Sequence, residues 1–103
     1  MIQVHVDMSV DPAKEAQMLR DFETHFRPAA ANFAGYKDVK IIKLREAFFG
    51  AAPEGVNYRF VLRYESEELR RKWIASDIHQ EVWGMIEKTF LHTNYDVLLF
   101  DEL

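Results

Sequence analysis

The hydrophobic period of this chain switches back and forth between two and about 3.6, and the order of the switches limits the folds open to it. From Ile2 to Val10 the apolar residues alternate strictly: Ile2, Val4, Val6, Met8 and Val10 on one side, Gln3, His5, Asp7 and Ser9 on the other. Strict alternation is the mark of a half-buried strand. Leu19, Phe22 and Phe26 then recur at spacings of three and four, the stripe of an amphipathic helix. Residues 36–46 (YKDVKIIKLRE) and 57–65 (NYRFVLRYE) return to strand, the second with Tyr58, Phe60, Leu62 and Tyr64 set against Arg59, Val61 and Arg63. A long helix follows from Ser66 to about Phe90, and residues 95–101 close the chain as a strand. The order is strand, helix, strand, strand, helix, strand. The economical solution is an α+β ferredoxin-like βαββαβ fold, with a four-stranded antiparallel sheet and both helices on one face.

The punctuation agrees with that order. Asp11-Pro12 supplies a helix N-cap followed by proline at the first helical position. Pro28 predicts a kink or a fresh short turn over Ala29–Phe33, ended by Gly35. Residues 47–56 (AFFGAAPEGV) are rich in turn formers. Ser66 caps the second helix with Glu67 and Glu68 at its positive end, and a re-cap falls near Asp77.

All four strands keep bulky residues on both parities: Ile41 and Ile42, Leu44, Val61 and Leu62, Leu98 and Leu99. His5, Asp7, Lys43, Arg45, Arg59 and Arg63 leave part of the second face polar. A sheet that is apolar on two faces still needs a cover for the face without helices. A second identical sheet provides one, so a homodimer through sheet-to-sheet packing is expected.

At 103 residues the chain is expected to be one domain, residues 1–103. It contains no cysteine, which excludes disulfides, thiolate metal sites and thiol nucleophiles and suits a reducing compartment, so the cytoplasm is expected. A net charge of -4 with scattered basic residues argues against nucleic acid as a partner. No apolar run reaches the ~20 residues of a membrane span. The N-terminus reads as a strand and not as a signal peptide.

Within the helix at 66–90, Ile74, Ala75, Ile78, Val82, Met85 and Ile86 fall on one arc of an ideal helix. His79 and Trp83 lie on its edge, four residues apart. Trp73 falls on the opposite side, among Asp77, Gln80 and Gly84, where an isolated helix would leave it in water. It therefore needs a loop or a second subunit over it, or it walls a cavity. His79 is either a packing residue or a neutral base whose pKa a neighbouring indole would lower. His5 and Asp7 share one side of the first strand, open to solvent or to a polar cavity. There is no glycine-rich phosphate cradle, no HExxH, no histidine pair at ligand spacing and no GxSxG, so no metal site is assigned.

The passage NYRFVLRYESEELRRKWIASDIHQEVW, with the length and the element order, resembles the antibiotic biosynthesis monooxygenase domain. Ser66, Glu68, Leu69, Trp73, Ser76 and Asp77 carry the motif. The resemblance implies a dimeric α/β barrel of two ferredoxin-like protomers, each with a pocket between sheet and helices. Some members of that family oxidise phenolic polycyclic substrates with molecular oxygen and no prosthetic group. Others bind and degrade haem through a histidine about ten residues after the tryptophan; that position here is Trp83. No cofactor is therefore expected, with haem kept as an alternative.

Two functional classes follow. In the first, a cofactor-independent monooxygenase takes a small phenolic or quinol ring, with His79 or His5 as the base. Trp73, Trp83 and Tyr36 stack on or hydrogen-bond the ring, Arg45 or Arg59 stabilises the oxyanion, and Asp7 joins the binding residues. In the second, the same dimer holds a small aromatic, fatty or haem-like ligand without turning it over, with Phe48 and Phe49 of the 47–56 loop as a lid or partner contact. A dimer whose aromatics are all consumed in packing is the remaining possibility.

Overall fold

The computed structural model describes residues 1–103. The first strand, β1 (Ile2–Met8), leads through a single tight turn (Pro12–Lys14) into α1 (Glu15–Asp21). A π-helical turn (Phe22–Phe26) joins α1 to α2 (Arg27–Ala31). Then come β2 (Tyr36–Lys43), β3 (Tyr58–Tyr64), α3 (Glu67–Ile74), α4 (Asp77–Glu87) and β4 (Asp96–Asp101). The four strands form one sheet in the order β2-β3-β1-β4, and every neighbouring pair is antiparallel. This is the α+β ferredoxin-like topology that the alternating periods predict.

Register follows from the alternation in β1. Val4 lies opposite Leu62 of β3 and Leu99 of β4, and Val6 opposite Phe60 and Val97. One parity of three strands therefore faces the helices together. Ile2, Val4, Val6 and Met8 are buried there with Tyr58, Phe60, Leu62 and Tyr64. Strand β1 ends at Met8; Val10 continues only as an isolated bridge to Phe90.

Pro28 does not break the first helical run. The backbone N–H of Arg27 donates to the carbonyl of Phe22, five residues back, immediately before the proline. That wider turn makes room for the pyrrolidine ring, which would otherwise press on the carbonyl four residues earlier. It also turns Phe22 and Phe26 both into the core, stacked with ring centroids 6.0 Å apart.

The second helical region is not one helix. It stops at Ile74 and restarts at Asp77, with Ser76 as the hinge. The Ser76 hydroxyl donates to the carbonyl of Trp73 (2.6 Å) and accepts from the backbone N–H of His79 (3.2 Å), so one side chain closes α3 and caps α4. The break changes the phase between the two segments. Trp73, expected on the wet side of a continuous helix, is fully buried by its own chain. Ala75 and Ile78, expected in the core arc, are exposed, whereas Val82 and Ile86 are buried as expected. Gly35 lets α3 sit this close: its φ is +90°, and a Cβ there would lie 2.6 Å from Leu69 Cδ1.

The helix-free face is more polar than the composition of its strands suggests. Arg59 pairs with Asp7 across β1 and β3 (2.7 Å), and Arg63 pairs with Asp38 (2.6 Å) and Glu102 (3.3 Å). Val61 is buried among them, and the exposed apolar residues are Leu98 and Phe100 on β4 and Ile42 on β2. No helix is long and apolar enough to cross a membrane.

Candidate functional site

The break at Ser76 opens a cavity of about 120 Å³ between α3, α4 and the sheet. Its floor is the helix-facing parity of the strands: Val4 and Val6, Phe60 and Leu62, and Val97. Phe26, brought inward by the π turn, forms the middle of an aromatic wall. Its ring packs edge-on against Trp73 (5.7 Å between centroids) and Trp83 (6.1 Å).

One end of the cavity is built by α3 and the start of α4. His79 lies edge-on against Trp73, with centroids 5.0 Å apart. The His79 Nδ1 and the Trp73 Nε1 are both buried without a protein partner. Burial, with a smaller contribution from the nearby Arg70 charge, holds the His79 pKa below its ordinary value of 6.5. The imidazole is therefore neutral at neutral pH. Arg70 is itself tied down by Glu67, with Nε donating to Oε2 at 2.9 Å.

The other end is built by α4 and the segment before β4. Trp83 Nε1 donates to the Tyr95 hydroxyl oxygen (3.0 Å), and that hydroxyl donates to Glu87 Oε2 (2.5 Å). Burial and then the Glu87 carboxylate push the Tyr95 pKa up, so the phenol keeps its proton.

Of the residues that the sequence singles out, the structure brings His79, Trp73 and Trp83 to this cavity. Tyr36 packs edge-on against Tyr64 (6.2 Å) outside the lining. His5, Asp7 and Arg59 lie on the helix-free face. There Gln3 Oε1 sits 2.8 Å from His5 Nε2, and the His5 ring meets Phe100 edge-on at 4.8 Å. Asp7, Arg59 and Arg45 line a second depression of about 270 Å³, bordered by the start of the 44–57 loop. Phe48 and Phe49 stand out from that loop, each 95% exposed. The two candidate bases, His5 and His79, are therefore separated by the sheet. Two polar cavity residues, Arg70 and Tyr95, escape the sequence reading, which places Phe26 only in the stripe of the first helix. Arg70 and Trp73 are three apart on α3, a spacing that puts them on one helix face, so that signal was present. Tyr95 lies in irregular chain twelve residues beyond its partner Trp83, and no local pattern links the two. No three His, Asp or Glu side chains cluster as metal ligands.

Sheet, helices and cavity define a ferredoxin-like α+β protein with a small aromatic chamber on the helix side of its sheet. No protein-family model matches the chain, and no curated protein sequence does. Solved structures match over nearly the whole length. A dimeric ferredoxin-like protein of unknown function from Jannaschia sp. superposes with a TM-score of 0.80 at 13% identity, covering 98% of each chain. A candidate antibiotic biosynthesis monooxygenase from Caulobacter crescentus gives 0.78 at 20% identity, over 99% of this chain and 89% of that one. SnoaB from Streptomyces nogalater, a cofactor-independent oxygenase, gives 0.75 at 12% identity, over 98% and 91%. The resemblance to antibiotic biosynthesis monooxygenases that the sequence suggests is thus present in three dimensions, as a likeness of fold.

Proposed function

We propose that this protein is a cofactor-independent oxygenase acting on a small phenolic or quinol ring held in the helix-side cavity. The observation that carries this reading is His79: a neutral imidazole with a buried, unpartnered nitrogen, beside a chamber walled by both tryptophans of the chain. His79, and not His5, is the base. It takes the phenolic proton, and the electron-rich phenolate then reduces oxygen itself. A ring carbon bonds to O₂ and the resulting hydroperoxide loses water, so phenol and O₂ become quinone and water. The protein supplies the base, the dry aromatic surroundings and the orientation. Trp73 and Trp83 bound the ring, and Arg70 is the cation placed to favour the phenolate. That role falls to Arg70 because Arg45 and Arg59 lie on the far side of the sheet. The similarity to SnoaB in fold supports chemistry without a prosthetic group. The cavity also lies well below the roughly 300–1,000 Å³ of ordinary cofactor and ligand pockets, which speaks against a haem macrocycle.

The helix-free face is covered by a second copy in this reading. Leu98 and Phe100 of β4, about half exposed, form its apolar part, and the Jannaschia neighbour is described as dimeric. Sedimentation should then give a species of twice the 12.2 kDa chain.

Oxygen uptake with a panel of reduced phenols tests the chemistry. Dialysed, flavin-free protein should consume oxygen, and His79→Ala should lower the rate by about 10²-fold or more while ring binding persists. Uptake that survives in His79→Ala removes the base assignment. Binding of a ring with no uptake by the wild type makes the protein a binding module instead.

A further inference from the structure

We propose that the cavity is polarised from end to end, and that it selects a single aromatic ring carrying a hydrogen-bond donor at one end and an acceptor oxygen at the other, with Tyr95 reading the donor. This rests on the reading that the cavity holds a ligand. It adds which ligand, which way round, and which residue decides.

The Tyr95 end can only accept. A phenolic oxygen has one hydrogen and two lone pairs. The hydrogen is committed to Glu87 at 2.5 Å, and one lone pair receives the Trp83 N–H at 3.0 Å. One lone pair remains. The Glu87 carboxylate cannot give a hydrogen back, so a ligand atom arriving here must bring its own.

The His79 end carries the unused donors, beside the His79 nitrogen that acts as the base. The Trp73 indole is a donor without acceptor capacity, and its N–H is buried with no protein partner. Arg70 also borders the cavity; its guanidinium is likewise donor-only, and Nε and Nη2 alone are used on Glu67. A carbonyl oxygen, or a phenol oxygen whose proton has passed to His79, satisfies these donors. The two ends are separated along α4 by the four residues from His79 to Trp83, about 6 Å of axial rise, with the Phe26 ring between the two indoles.

Volume limits the rest. A cavity of about 120 Å³ is close to the ~150 Å³ dry cavity that accommodates one benzene. One ring fits inside; a fused second ring would extend out of the open side of the cavity. Val97, which lines the cavity and is 51% exposed, marks where a substituent can leave.

Calorimetric titration with four aldehydes tests this. Tryptophan emission serves as the positional check, because both tryptophans of the chain border the cavity. The wild type should bind 4-hydroxybenzaldehyde about tenfold more tightly than benzaldehyde or 4-methoxybenzaldehyde, and 6-hydroxy-2-naphthaldehyde about tenfold more weakly than the one-ring hydroxyaldehyde. Tyr95→Phe should bring the hydroxy-to-unsubstituted ratio close to one while benzaldehyde affinity stays. Glu87→Gln, nearly isosteric, offers an amide hydrogen to Tyr95 and frees its own for the ligand, so the methoxy compound should gain. Melting curves verify that each variant is folded. A ratio unchanged in both variants, or equal binding of the four aldehydes, overturns the polarity inference and leaves the cavity as a ligand site. If none of the four binds the wild type, the cavity reading falls and takes this inference with it.

Discussion

His5 and His79 differ only in which side of the sheet they occupy, yet that difference separates a surface hydrogen-bonding residue from a candidate base. Each has a buried Nδ1 without a protein partner, and burial is the largest cause holding each pKa below 6.5. His5 sits in a lattice of charges: Arg59 and Lys40 lower its pKa further, Asp7 opposes them, and Nε2 is engaged by Gln3. His79 packs edge-on against the Trp73 indole, with Arg70 as the charge that acts on it. The imidazole is the same and each has a ring beside it; what differs is the number of charges that act on it, three around His5 and one beside His79. A charge lattice disperses a proton's effect over many partners, whereas an aromatic chamber leaves a ligand as the one group that can respond.

The comparison breaks first at the core. Trp73→Ala removes a fully buried indole on the helix side and should cost about 3–5 kcal/mol by urea unfolding, at every protein concentration. Phe100→Ala, on the half-exposed helix-free face, should cost much less in dilute protein and should show its main effect as a lower dimer fraction in sedimentation. Equal and concentration-independent losses would mean that the helix-free face is not an interface.

The pH dependence sharpens the contrast with a smaller effect. Both histidines bind a proton less readily in the folded chain than in the unfolded one. Their contribution to stability is therefore complete above the unfolded value of about 6.5 and is lost as the pH falls through the lower folded values. Urea midpoints measured from about pH 7 down to about pH 5 should fall in the wild type and fall less in His79→Gln and in His5→Gln. If a second copy covers its face, the His5 share should depend on protein concentration; the His79 share should not. An unchanged slope in His79→Gln would show that its ring is already wet.

Smallest is the effect of Asp7→Asn. The Asp7 side chain is only 11% exposed, but its partner Arg59 is 42% exposed, so solvent screens the pair from one side and the loss should stay at about 1 kcal/mol in the monomer. A loss of several kcal/mol would mean that the face is buried under all conditions.

Much of the fold can be read in the chain because it depends on local period. The alternation of Ile2 to Met8 and of Tyr58 to Tyr64 places those side chains whatever surrounds them, and both sets are buried as expected. Ser66 reads as an N-cap and is one, its hydroxyl accepting from the backbone N–H of Leu69. The site is less legible, for a stated cause. Placing Trp73 requires knowing that the helix breaks at Ser76, and one serine in a helical pattern fits a continuous helix equally well. The capping preference places the restart near Asp77, but the phase change that turns Trp73 inward depends on how α3 and α4 pack on the sheet. Tyr95 is invisible for a different reason: its partners Trp83 and Glu87 are joined to it only by the path of the chain into β4.

By itself the sequence determined the succession of strands and helices, the side of β1 and β3 that turns inward, and the presence of two tryptophans and a histidine close to one another. Only the tertiary structure decided that His79 and both indoles share one chamber while His5 lies beyond the sheet, and that Tyr95 and Glu87 close its far end. Period is a property of neighbours along the chain, carried by backbone geometry. A cavity is a property of surfaces that meet across it, and its shape is set by packing between segments that no local pattern relates.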